Sequence, residues 1–94
     1  MVYFSERLKL VDPTKLLTYL KNKDWQEDST IDTGAIVLTI QKNTKKYSIL
    51  LPIDKTVPDY ISRLYDVFRT LEIVENEFKE VILTSFIQNQ DYVD

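Results

Sequence analysis

Hydrophobic residues follow two different periods along this chain. From Val57 they recur at positions 60, 61, 64, 67, 68, 71 and 74, which is one stripe of an amphipathic helix. The opposite stripe, Asp59, Arg63, Asp66 and Arg69, alternates in sign at spacings of three and four, as a solvated helix face does. The same phase continues through Phe78, Val81, Ile82 and Phe86, which places those four side chains inward. One helix from 57 to 89 would be roughly 50 Å long, whereas a domain of this size measures about 30–35 Å across. The pattern therefore predicts two helices, 57–75 and 77–89, broken at Glu75-Asn76. Asn76 would cap the second and Glu77 suit its first turn. Thr56 and Asp59 have the spacing of a capping box for the first.

Between Ala35 and Leu51 the period is two. Ala35–Gln41 and Lys46–Leu51 alternate and are rich in β-branched residues, and Asn43-Thr44 can join them as a two-residue turn. That turn sets Lys42 opposite Lys45, Ile40 opposite Tyr47, Leu38 opposite Ile49 and Ile36 opposite Leu51. The six large apolar side chains then share one face, and Thr39, Ser48, Val37 and Leu50 take the other. A weaker strand is expected within Trp25–Thr30, followed by turn residues Thr30–Gly34.

Asp12-Pro13 is a helix start, with an N-cap carboxylate and a proline where no N–H is needed. Val11 and Leu16 are spaced as a hydrophobic staple, Leu16, Leu17 and Leu20 form a stripe, and Asn22 is a plausible stop, with Lys21 and Lys23 complementing that end. This predicts a helix over 13–22. Residues 1–11 read as an N-terminal extension, extended where Leu8 and Leu10 alternate with Lys9, and 90–94 as a frayed tail. The expected fold is one α+β domain over 1–94, in the order α-β-β-β-α-α. A three-stranded antiparallel meander spans 25–52, with helices packed on its large-apolar face.

Composition narrows the chemistry. The sequence has no cysteine and no histidine, which removes thiolate and imidazole catalysis, disulfides and most zinc sites. No cofactor is implied. Net charge is −3, unevenly spread: residues 1–47 hold eight basic and six acidic side chains, residues 48–94 four and nine. An acidic C-terminal half repels phosphate backbones, so nucleic acid is not an expected partner there. Without an apolar run of about 20 residues or a signal-like start, a cytoplasmic chain with no membrane association is expected.

Four constellations remain. Asp54, Lys55 and Asp59 surround the turn before the long helix. They could form a small polar ligand site, or simply an Asx turn and a cap, which is the commoner use of such residues. Glu27-Asp28, Glu75-Glu77 and Glu77-Glu80 could act as acid and base in a carboxylate-based hydrolase, but adjacent acids usually mark a solvated face. Lys42, Lys45 and Lys46 gather near Tyr47 at the hairpin tip. They could contact nucleic acid weakly, or serve only to keep a strand edge soluble. Finally, Tyr65, Ile73, Leu83 and Ile87 lie about 120–200° around the helices from the main stripe at ~100° per residue. If exposed together they would form a protein interface. Trp25 and the six tyrosines could form a ligand cage, but at helical and strand spacing they read as core with polar tips.

With Trp25, Leu51-Pro52-Ile53-Asp54, Pro58-Asp59-Tyr60 and Arg69-Thr70-Leu71 in this order, the chain resembles a group of uncharacterised small bacterial proteins and N-terminal domains, over residues 13 to about 87. The resemblance implies the fold and no activity. The expected function is a non-catalytic protein-interaction or self-association module acting through the C-terminal helices. The hairpin lysines and the Asp54/Asp59 turn are the alternatives.

Overall fold

In the computed structural model, which describes residues 3–31 and 34–90, the chain opens with a one-turn helix, α1 (Phe4–Leu8). This differs from the expected extended segment, and the reason is visible in the burial. Leu8 and Val11 are fully buried and Phe4 packs its edge against the rings of Tyr65 and Phe68, at 5.5 and 6.2 Å. Positions 4, 8 and 11 share one helical face, a signal that outweighs the brief 8/10 alternation.

Helix α2 (Pro13–Asn22) begins as its cap predicts: the Asp12 carboxylate accepts from the N–H groups of Thr14 (3.0 Å) and Lys15 (3.5 Å). Val11 and Leu16 are both fully buried. The helix ends at Asn22, but the left-handed residue is Asp24, at φ +75°. Its N–H donates to the Lys21 carbonyl and that of Trp25 to the Leu20 carbonyl, the two bonds of a Schellman closure. The closure turns Trp25 into the core, where it is 2% exposed.

Strands β1 (Gln26–Ile31), β2 (Ala35–Lys42) and β3 (Lys45–Pro52) form an antiparallel sheet in the order β1-β2-β3. The β2–β3 register is the one the turn and the alternation jointly predict, with Leu38 opposite Ile49 and Ile40 opposite Tyr47. Asn43 supplies the left-handed conformation of the turn, at φ +59°. Strand β1 carries a bulge: Glu27 pairs with Leu38 and Ser29 with Val37, leaving Asp28 without an opposite residue. Gly34, at φ +81°, accepts the Ile53 N–H, and a Cβ there would lie 3.2 Å from Asp54 Cβ. That position needs glycine for both reasons. Asp32 and Thr33 of the expected turn, and residues 91–94 of the expected tail, lie outside the described residues.

Leu38, Ile40, Ile49 and Leu51 are buried on one sheet face and join a single apolar cluster with residues from the helices. Val37 and Leu50 on the reverse face are half-buried. Helix α3 (Tyr60–Glu75) packs against β3 and buries Tyr60, Leu64, Val67, Phe68 and Leu71, the stripe the sequence marks. It starts three residues later than predicted. The Asp54 carboxylate accepts from both the N–H and the hydroxyl of Thr56, so Thr56 closes an Asx turn and does not cap. Asp59 makes no cap bond and instead pairs with Arg63 at 2.7 Å.

The break between the last two helices falls where helix length requires it. Asn76, however, ends α3 in the left-handed region (φ +53°) and does not cap α4 (Lys79–Asn89). The capping acceptor comes from α3: Glu72 Oε2 accepts the Lys79 N–H at 2.8 Å. Gln90, expected to fray, is held by its side chain, which accepts the Asp12 N–H and donates to the Leu10 carbonyl.

Leu38→Ala opens a cavity in the sheet's buried face and should cost about 2–5 kcal/mol. Val37→Ala, on the half-buried reverse face, should cost clearly less. Urea denaturation of the two variants checks the difference, and equal losses would contradict the facing.

Candidate functional site

The turn before α3 uses its acids internally. Thr56 holds the Asp54 carboxyl below the usual carboxylate range, first through its hydroxyl and then through its N–H. Asp59 is engaged by Arg63. Lys55 is exposed. Two shallow recesses flank Val57-Pro58. One, of about 260 Å³, is lined by residues including Gly34, Pro52, Asp59 and Arg63. The other, of about 330 Å³, is lined by Lys9, Lys55, Val57, Pro58, Tyr60 and Ile61. The Tyr60 hydroxyl is buried without a hydrogen-bond partner, and burial first, then the Asp12 charge, raises its pKa. The two acids and the lysine thus do not converge on one cavity.

The hairpin tip divides its lysines between faces. Lys42 pairs with Lys45, whereas Lys46 pairs with Gln41 one residue further in, so the pleat sends Lys46 to the opposite face. The Lys45 ammonium sits 5.2 Å from the centre of the Tyr47 ring. A recess of about 470 Å³ beside the tip takes in Lys42 and Lys46, but also Asp24, Gln26, Thr39 and Gln41. Lys42 and Lys46 thus share one recess with Asp24, while Lys45 stands over the Tyr47 ring outside it.

The four apolar residues of the expected helical interface also separate. Leu83 is fully buried, Tyr65 and Ile87 pack partly buried against the core, and Ile73 alone is well exposed, at 65%. Phe78 and Val81, placed inward by the sequence, are instead 70% and 49% exposed. The left-handed Asn76 interrupts the helical phase carried over from α3. Helix α4 docks with Ile82, Leu83 and Phe86 inward, and the sequence stripe is rotated accordingly. The missed surface had one available signal, the 82/83/86/87 spacing read without continuity from Val74.

Four of the five acids in these pairs engage neighbouring groups. Glu27 pairs with Lys21 at 3.2 Å, and Glu80 with Lys79 at 3.3 Å. Glu77 accepts the Phe78 N–H. Glu75 accepts the Tyr19 hydroxyl at 3.2 and 3.4 Å, with the Lys23 ammonium 3.9 Å away, tying α2 to the end of α3. Burial and then this carboxylate raise the Tyr19 pKa. Among the described residues no group of three or more acidic side chains could hold a metal ion, and no helix is long and apolar enough to cross a membrane. No family model, curated protein or solved structure matches the chain. The likeness seen in its Trp, LPID and PDY residues therefore carries no functional argument.

The Asp54 carboxyl gives a pH-dependent check on the turn. Its folded pKa is depressed, so its contribution to stability is present above the unfolded carboxylate pKa and is lost as pH falls through the folded one. Thr56→Val removes the hydroxyl donor and should move the Asp54 titration midpoint, followed by carboxyl-carbon NMR, back up towards the ordinary range. An unchanged midpoint would contradict the assigned turn.

Proposed function

We propose that the protein is a non-catalytic interaction domain that docks onto protein surfaces through the outer face of α4. The observation that carries this reading is the exposure of Phe78 and Val81, 70% and 49%, on successive turns at the start of that helix. A side chain as large as phenylalanine gains free energy on leaving water. With Val81, Phe78 forms an exposed apolar pair on a helix whose other face buries Ile82, Leu83 and Phe86. Ile73, 65% exposed on the last turn of α3, adds to the apolar character of this end of the molecule. The exposed Glu77 and Glu80 stand beside the patch as a polar rim. The absence of histidine and cysteine from the sequence agrees with a role in binding.

The reading is tested by placing a photoreactive phenylalanine analogue at position 78 and, as a control, at the exposed Gln41. Irradiation of the full chain in cells should yield a covalent protein adduct of defined mass from position 78 only, and Val81→Glu should suppress it. Equal adducts from both positions, or none from 78, would overturn the proposal.

A further inference from the structure

We propose that the recess beside the hairpin tip binds a small phosphomonoester carrying free hydroxyls, a sugar phosphate. It shares no residue with the outer face of α4 and does not depend on the docking reading. Register builds the recess. Strand β1 begins at Gln26, opposite Thr39, whereas β2 runs on to Lys42. The stretch Ile40–Lys42 therefore extends past the start of β1. In a two-residue hairpin the flanking pair, here Lys42 and Lys45, turns its backbone groups toward each other, and the next pair turns them outward. The N–H and C=O of Gln41 thus point to the side where β1 would continue. Asp24 would stand opposite, but its backbone is left-handed (φ +75°) and its N–H donates to the Lys21 carbonyl, so it leaves the ladder. The edge of β2 is bare at Gln41.

The recess wraps this bare edge and so takes residues from both faces of the sheet. Lys42 belongs to one face. Gln26 with Thr39, and Gln41 with Lys46, are cross-strand pairs of the other. Asp24 closes the side next to α2. The enclosed volume, about 470 Å³, lies within the roughly 300–1,000 Å³ of small-molecule sites.

The lining selects the ligand. Lys42 and Lys46 are exposed, and neither is in an ion pair among the described residues. Two ammonium groups match a phosphomonoester, which carries about −1.5 to −2 charge at pH 7. The outward N–H of Gln41 adds a donor for a phosphate oxygen. Asp24 is exposed and likewise outside those ion pairs, and a carboxylate only accepts hydrogen bonds. It and the outward Gln41 carbonyl call for hydroxyl donors on the ligand. The Thr39 hydroxyl and the amides of Gln26 and Gln41 both donate and accept, which suits further hydroxyls. Ile40, 7% exposed, is the one apolar residue of the lining, and no aromatic ring lines it, so a nucleobase would find no surface to stack on. The ligand this describes has an anionic end for the lysines and a hydroxylated end for Asp24. Exposed charge contacts each contribute little, so the dissociation constant should be on the order of 1 mM.

NMR titration of the full chain at constant ionic strength tests this. The probes are glucose phosphorylated on its primary hydroxyl, inorganic phosphate and glucose. The sugar phosphate should give saturable shifts centred on Gln26, Gln41, Lys42 and Lys46. Inorganic phosphate should bind several-fold more weakly, and glucose should give no shifts over the same range. Lys42→Gln and Lys46→Gln should each raise the dissociation constant for the sugar phosphate about threefold or more. Lys45→Gln should leave it unchanged, because Lys45 lies outside the recess. Asp24→Asn keeps a residue that tolerates the left-handed backbone, and it should weaken the sugar phosphate but not inorganic phosphate. All four side chains are exposed, so the urea midpoints should stay at the wild-type value. Shifts that never saturate, a loss from Lys45→Gln equal to that from Lys42→Gln or Lys46→Gln, or inorganic phosphate binding as tightly as the sugar phosphate would each overturn the site.

Discussion

The structure depends on the pairing register of β2 and β3. Leu38 and Ile49 face each other across the ladder, and with Ile40 and Leu51 they form the apolar floor on which the helices pack. A slip of one residue would turn that floor outward and present Val37, Thr39 and Leu50 to the helices. Asn43 prevents the slip by taking the left-handed position of a two-residue turn, and Gly34 closes the other end of β2 against Ile53 and Asp54. The helices then have one place to go, and their apolar stripes follow from it.

Chain ends and junctions are held by side-chain hydrogen bonds as well as by buried area. Asp12 caps α2, Glu72 of α3 caps α4, and Gln90 reaches back to Leu10 and Asp12. Glu75 joins Tyr19 and Lys23. These bonds engage the carboxylates of Asp12, Glu72 and Glu75. Phe78 and Val81 stay exposed on the outer side of α4, the surface on which the functional proposal stands.

Legibility in the sequence tracked how many independent signals agreed at a position. The hairpin register was legible because turn length and alternation point to the same pairing. The α2 limits were legible because cap, proline and staple coincide. Phe78 and Leu83 exchanged roles because the left-handed Asn76 cannot be foreseen from an apolar stripe that runs smoothly across it. Thr56 does not cap as its spacing suggests, because Asp54, two residues earlier, takes its hydroxyl and N–H. The alternation of Lys46 against Lys42 and Lys45 along the strands follows from the same register, whereas the recess that Lys42 and Lys46 both line has no signal in the sequence. The candidate interface was thus legible in location, the C-terminal helices, but not in which side chains reach the surface.

The most direct test of this picture is the set of methyl cross-peaks in a nuclear Overhauser spectrum of the full chain. The account predicts that the methyl groups of Leu38 and Ile49 share cross-peaks with each other and with side chains of α3. Cross-peaks to α3 from Val37 and Leu50 in their place would mean that the sheet presents its other face, and would contradict the account.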